Sequence, residues 1–190
     1  MPRTTEQYEE IRETRKQQIM DVALKLFAAK GYDSTSISTI AKEANISKGL
    51  LYNYFISKED LLIQLVTEGF QDMINSFDKN KDGVLTRDEF IYFIEEVFKL
   101  MAGKLHFYKL YFSLMLQPTV WKLFEGMFSE VIGPLLATLT DYYKRKGSPD
   151  PEAEAVMVGA MLDGIGFNYI FNPDLYPLER VKRLIIERFV

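Results

Sequence analysis

Two stretches of this 190-residue chain carry side chains whose types and spacing could do chemistry. The first is the twelve-residue run Asp78–Glu89, DKNKDGVLTRDE. Asp78, Asn80 and Asp82 place side-chain oxygens at its first, third and fifth positions. Gly83 at the sixth allows a sharp turn, Val84 at the seventh offers its carbonyl, and Thr86 at the ninth can act directly or through water. Glu89 at the twelfth can give both carboxylate oxygens. A hard cation of calcium's size takes about six to eight oxygens, and alternate residues of such a loop turn inward to supply them. Calcium is therefore the expected cofactor. With only three carboxylates the affinity should be modest, and the smaller, geometrically stricter magnesium should fit less well.

This run resembles the EF-hand loop at every liganding position. Leu85 supplies the apolar eighth residue, and Phe77 and Phe90 flank the loop with helical patterns on either side. A second loop, against which one EF-hand usually packs, is missing. The same residues admit another reading, an Asp/Asn/Gly-rich turn followed by a helix that Thr86 caps, with Asp88 and Glu89 at its positive end.

The second stretch is Gly31–Leu62. Ser36 can cap a short helix with Ile37, Ile40, Ala41 and Ala44 on its buried face. Asn45-Ile46 then makes a tight corner, and Ser47 can cap a further helix through Lys48–Phe55. Two short helices on a three- or four-residue turn are the requirement of a helix-turn-helix, whose second helix lies in the major groove of DNA. The segment GYDSTSISTIAKEANISKGLLYNYFISKEDLL closely resembles the N-terminal signature of the tetracycline-repressor (TetR) family. The features that match are the glycine ending the first helix, T-x-x-x-I-A-x-x-A, S-K-G-x-x-Y-x-Y-F and S-K-E-x-L. The likeness runs from about Gln17 to Val66 and departs at two points. Asn45 stands where the family usually has glycine, but asparagine tolerates the left-handed conformation such a corner needs. Leu50 replaces a small or hydroxyl residue, which suggests contact with a thymine methyl or a different base preference.

The resemblance implies a homodimeric transcriptional regulator, a repressor, that binds a palindromic operator in double-stranded DNA and is released by a small hydrophobic ligand. Lys48 and Leu50 should then face base edges, with Gly49 letting the backbone come close. Tyr52, Tyr54 and Lys58 match positions that contact sugar-phosphate, and Thr35, Ser36 and Ser47 can offer hydroxyls or helix amides to phosphates. Ile40, Ala41, Leu51 and Phe55 are the expected core between the helices.

The elements that must hold these groups are helical. Ile19, Val22, Ala23, Leu26 and Phe27 follow the helical repeat, and Gly31 closes that helix. Ser57-Lys58-Glu59-Asp60 has capping-box spacing and opens a fourth helix. No run alternates long enough for a sheet. The expectation is an all-α chain, with a three-helix helix-turn-helix head over residues 1–57 and a larger ligand-binding and dimerisation domain over 58–190 containing the 78–89 loop. That loop is not part of the resembled pattern. It is either a staple joining the fourth and fifth helices, the favoured reading, or a regulator of how the fourth helix leans.

The body is rich in large apolar groups. Phe98, Met101, Tyr108 and Tyr111 are candidate walls of a ligand pocket, as are Phe112, Met115, Trp121 and Phe124. Ordinary core packing accounts for the same residues equally well. Glu152–Phe171 and Leu178–Phe189 are the expected dimer helices, with Gly159, Ala160, Gly164 and Gly166 as small residues for close approach.

Composition sets the outer limits. At 47% hydrophobic residues the chain can bury a real core. The absence of cysteine removes disulfides and thiolate metal sites and suits a reducing cytoplasm. One histidine, His106, argues against a histidine-based zinc site or catalytic triad and is expected at a helix surface or pocket wall. No G-x-S-x-G or Walker-type loop is present, so no enzyme is expected. No apolar run reaches the ~18 residues of a membrane helix. Residues 1–60 hold nine Lys/Arg and nine Asp/Glu, so DNA binding must rest on a few placed contacts rather than bulk charge.

Overall fold

The computed structural model describes residues 4–115, 117, 122, 126 and 132–190, the side chains of Thr5, Asp72 and Met115 apart. Trp121, Phe124 and the Met115 side chain therefore lie outside the described residues. Helices are the regular elements among the described residues: α1 (Thr5–Lys30), α2 (Ile37–Glu43), α3 (Lys48–Tyr52), α4 (Lys58–Phe77), α5 (Arg87–Gly103), α6 (Leu105–Met115), α7 (Gly133–Arg145), α8 (Pro151–Phe171) and α9 (Leu178–Phe189). The chain is all-α, as expected. It divides into two compact units, Met1–Thr67 and Glu68–Val190, and the division falls inside α4. No helix among the described residues is long and apolar enough to cross a membrane.

In the first unit, α1 begins well before the apolar repeat that reveals it. Thr4 caps it with a capping box to Gln7, and the exposed first turns are built from Glu, Arg, Gln and Lys, which favour helix without needing a partner. From Ile19 the helix turns Ala23, Leu26 and Phe27 inward. It ends at Gly31, whose φ of 82° a side chain would resist. Ile37, Ile40 and Ala41 of α2 are buried, α2 packs on both α1 and α3, and Leu51 and Phe55 are fully enclosed. Each such aromatic or aliphatic burial contributes roughly 1.5–3 kcal/mol. The α-helical part of α3 stops at Tyr52, short of the expected Phe55; Tyr54 and Phe55 continue as turns that both donate their N–H to the Leu51 carbonyl.

In the second unit, α5 buries Phe90, Ile94, Val97, Phe98 and Met101 along one face. It packs against α6 and α9, while α8 packs against α6 and α7. Phe90 meets Tyr142 and Tyr143 of α7 edge-on, at 5.1 and 6.3 Å between ring centres. Those two hydroxyls donate to the carbonyls of Val190 and Phe189, at 3.0 and 2.8 Å, fastening α7 to the end of α9.

Candidate functional site

The corner between α2 and α3 is set by local chemistry. Ser36 Oγ accepts the Thr39 N–H at 3.1 Å and Ser47 Oγ accepts the Leu50 N–H at 3.1 Å, so each short helix starts on a serine cap. Such a cap stabilises by about 1 kcal/mol. Asn45 sits between them at φ 53°, the left-handed conformation expected of it. Ile46 donates its N–H back to Ala41, closing the corner. With Leu51 and Phe55 turned in, Ser47, Lys48, Gly49, Leu50 and Tyr52 form an exposed face. The Lys48 ammonium lies 5.9 Å from the centre of the Tyr52 ring, within cation–π range. A Cβ on Gly49 would meet nothing nearer than the Ser47 hydroxyl at 4.0 Å, so its surface is open to an approaching molecule. Ser36 is exposed beside this face, and Tyr54 is half-buried.

Two residues expected on this face are held inward instead. Thr35 is fully buried and its hydroxyl donates to the Gly31 carbonyl at 2.8 Å, so it joins α1 to α2 and is closed to phosphate. Lys58, half-buried, donates to the Tyr32 carbonyl at 3.1 Å and lies 4.1 Å over the Tyr32 ring, which ties it to the turn after α1 and leaves other ammonium hydrogens to donate. Ile56, by contrast, escaped the sequence reading. It is 84% exposed between α3 and α4, where its own N–H is taken by Asp60 at 2.8 Å. Asp60 in turn donates its N–H to Ser57, as the S-x-x-D spacing implied. Nothing in the local hydrophobic pattern marks Ile56 as exposed.

The Asp78–Glu89 segment folds back on itself. Gly83 donates its N–H to Asp78 Oδ2 at 2.9 Å, Asp82 donates its N–H to Asn80 Oδ1 at 3.0 Å, and Val84 donates its N–H to Asp82 Oδ1 at 2.7 Å. Leu85 is fully buried and its carbonyl accepts Arg145 Nη2 at 2.8 Å. Thr86 caps α5, as the turn-and-cap reading expects. Its N–H and hydroxyl both donate to Glu89 Oε2, at 2.9 and 2.7 Å. Among the described residues no three acidic or histidine side chains gather where they could hold a metal ion, and Glu89 is held at that cap.

The pocket candidates separate by burial. Phe98, Met101 and Tyr108 are core, whereas Tyr111 and Phe112 are half-buried. Phe70 of α4 joins them, 4.9 Å from the rings of both Phe107 and Tyr111, a partner the sequence reading missed. Gly69 leaves room for this cluster, since a Cβ there would collide with the Phe107 ring. Burial pushes the hydroxyls of Tyr108 and Tyr111 far above the usual phenol range, helped by the neighbouring Tyr111 and then Asp163 for Tyr108 and by Asp163 for Tyr111. Neighbouring groups of the fold desolvate the Asp163 carboxyl enough to raise it above the usual carboxylate range, although the residue as a whole is exposed on α8. An aromatic cluster with two neutral hydroxyls and one carboxyl can hold an apolar chain and orient a polar end. His106 is exposed on α6.

Along α8, Val156, Met157, Ala160, Gly164, Phe167 and Phe171 are exposed at helical spacing, and Leu184 is exposed on α9. Gly166 belongs elsewhere. A Cβ there would lie 3.4 Å from Met101 and Phe112, so its small size serves packing within the chain.

Comparison with known proteins bears on this geometry. Residues 19–65 match the sequence model of bacterial regulatory proteins, tetR family. The transcriptional regulator YuxN of Bacillus subtilis strain 168, of helix-turn-helix type, is 60% identical over 48 residues, 25% of this chain and 16% of that protein. The fatty acid metabolism regulator protein of the same organism is 34% identical over 87 residues, 45% of each chain. The matches thus span less than half the length of either relative. Among solved structures, the transcriptional regulator FadR from Bacillus subtilis in complex with stearoyl-CoA shares the fold at a TM-score of 0.74 and 23% identity, covering 92% of this chain and 97% of that one. These relatives are transcriptional regulators and not enzymes.

Proposed function

We propose that this chain is a TetR-type transcriptional regulator, a repressor that binds a palindromic operator as a homodimer and leaves it when a long-chain acyl ligand enters the body. The observation that carries this reading is the α3 face. Ser47, Lys48, Gly49, Leu50 and Tyr52 are exposed together over a closed core, within the segment that matches the family. Protein at this face needs only a few placed contacts, which agrees with the balanced charge of residues 1–60. Two heads reading half-sites about one helical turn, ~34 Å, apart would add specificity through operator symmetry. The exposed stripe of α8 and Leu184 of α9 supply an apolar surface for pairing.

The ligand class follows from the aromatic cluster of Phe70, Phe107, Tyr108, Tyr111 and Phe112, read beside the stearoyl-CoA complex of the similar fold. Apolar rings suit an acyl chain, and the hydroxyls beside Asp163 suit its polar end.

The test is selection of a bound duplex from a random library, followed by titration of that operator with and without stearoyl-CoA. A recovered inverted repeat that is released by stearoyl-CoA and retained with free coenzyme A is the expected result. Recovery of no preferred sequence would overturn the DNA-binding reading. Recovery with no release would overturn the ligand class alone.

A further inference from the structure

The proposed regulator has no evident use for the Asp78–Glu89 loop, yet one of its atoms is left in an expensive state. Asp78 Oδ2 is paired with the Gly83 N–H across the loop, which turns the carboxylate toward the loop interior. Its other oxygen, Oδ1, is buried and has no hydrogen-bond partner. A buried carboxylate oxygen without a donor is costly, and a cation satisfies it directly. Lys81 at φ 58° and Gly83 at φ 76° turn the main chain, and Asn80 and Asp82 accept the N–H groups of Asp82 and Val84 as Asp78 accepts that of Gly83.

We propose that Asp78–Glu89 is a calcium site, with side-chain oxygens of Asp78, Asn80, Asp82 and Glu89 and the Val84 carbonyl as its protein ligands. Glu89 is the member that moves. It now spends Oε2 on the N–H and hydroxyl of Thr86, and it turns to the ion when calcium binds. Helix α5 keeps its cap through that change, since Thr86 Oγ1 also accepts the Glu89 N–H, at 3.3 Å. With Glu89 giving both oxygens, and the Asp78, Asn80, Asp82 and Val84 oxygens one each, the protein supplies about six oxygens and water completes the shell. The far side of the loop is already fixed, by buried Leu85 and by Arg145 on the Leu85 carbonyl. Magnesium's stricter octahedron fits this set less well.

The experiment is calorimetric titration of calcium into the chelator-treated full chain, repeated with Asp78→Asn, Glu89→Gln and Lys81→Ala. Glu89→Gln is informative because glutamine serves equally at that position of a capping box and so spares the helix start. The expected result is one ion per chain with a Kd of about 10⁻⁵–10⁻³ M. Asp78→Asn and Glu89→Gln should each weaken binding at least tenfold, with helical circular dichroism unchanged, and Lys81→Ala should bind as the parent does. No saturable heat up to millimolar calcium would overturn the site. Unchanged affinity in both ligand variants, or equal affinity for magnesium, would also overturn it. None of these readouts requires operator DNA, so failure here and failure of the DNA-binding reading are separate results.

Discussion

At the scale of single residues, exposure separates groups that share one helix. Leu51 is enclosed while Lys48, Gly49, Leu50 and Tyr52 face out. Lys48→Ala is expected to weaken operator binding and lower the slope of log affinity against log salt by about one, with the dimer intact. A salt titration checks this, and an unchanged slope would remove Lys48 from the DNA face. Gly49→Ala separates fold from function in the opposite direction. Alanine should stabilise α3 by about 0.5–1 kcal/mol, since nothing opposes the added Cβ, yet it should weaken DNA binding if the backbone approaches the groove. Melting and binding measured on one sample decide this, and tight binding by the variant would exclude close approach. Asp163 gives a pH signature. Its folded carboxyl binds a proton more tightly than the unfolded one, so stability falls as pH rises from the unfolded value, about 3.9, through the raised folded value. Asp163→Asn should therefore melt higher than the parent at neutral pH and lose that advantage near pH 3; parallel melting curves at both pH values would contradict it.

At the scale of elements, caps and apolar repeats were readable directly. Ser36, Ser47, Ser57 and Thr86 each accept the N–H three residues on, because that bond needs only local sequence. The extent of α1 was not readable before Ile19, since an exposed helix of polar residues leaves no hydrophobic period to detect. Helix α8 was found as Pro151–Phe171, close to the expected Glu152–Phe171, and its two faces then diverge. Gly166 packs inside the chain, while Ala160 stands in the exposed stripe. Ala160→Arg is expected to leave the protomer folded and to yield monomers with reduced operator affinity, measured by sedimentation velocity. A variant that remains dimeric would take this stripe out of the interface.

At the scale of the whole molecule, the chain carries a net charge of −4, while residues 1–60 are balanced. The excess acidity is therefore carried by residues 61–190 and not by the candidate DNA-binding head. Ligand entry should register as stability, because a ligand bound only by the folded state stabilises it by about 2.7 kcal/mol at a hundredfold excess over Kd. For a chain of this size, stearoyl-CoA at that excess should raise the melting midpoint by about 5–10 °C, and free coenzyme A should raise it less. Equal shifts from both would place recognition in the coenzyme moiety rather than in the acyl chain.

The sequence by itself determined the helical class, the serine and threonine caps, the left-handed Asn45 corner and the oxygen spacing of Asp78–Glu89, all of which depend on neighbours a few residues apart. Tertiary structure alone decided which polar groups are free to act. Thr35 matches the DNA-contacting pattern by spacing, but it is buried and the Gly31 carbonyl claims its hydroxyl, while Lys58 stays partly exposed with one of its three donors on the Tyr32 carbonyl. Phe70 meets Phe107 and Tyr111 from another helix, and Gly69 makes the room. The reason is physical. A cap or turn is closed by bonds within about four residues, whereas burial and competition for a donor depend on groups brought together only by folding.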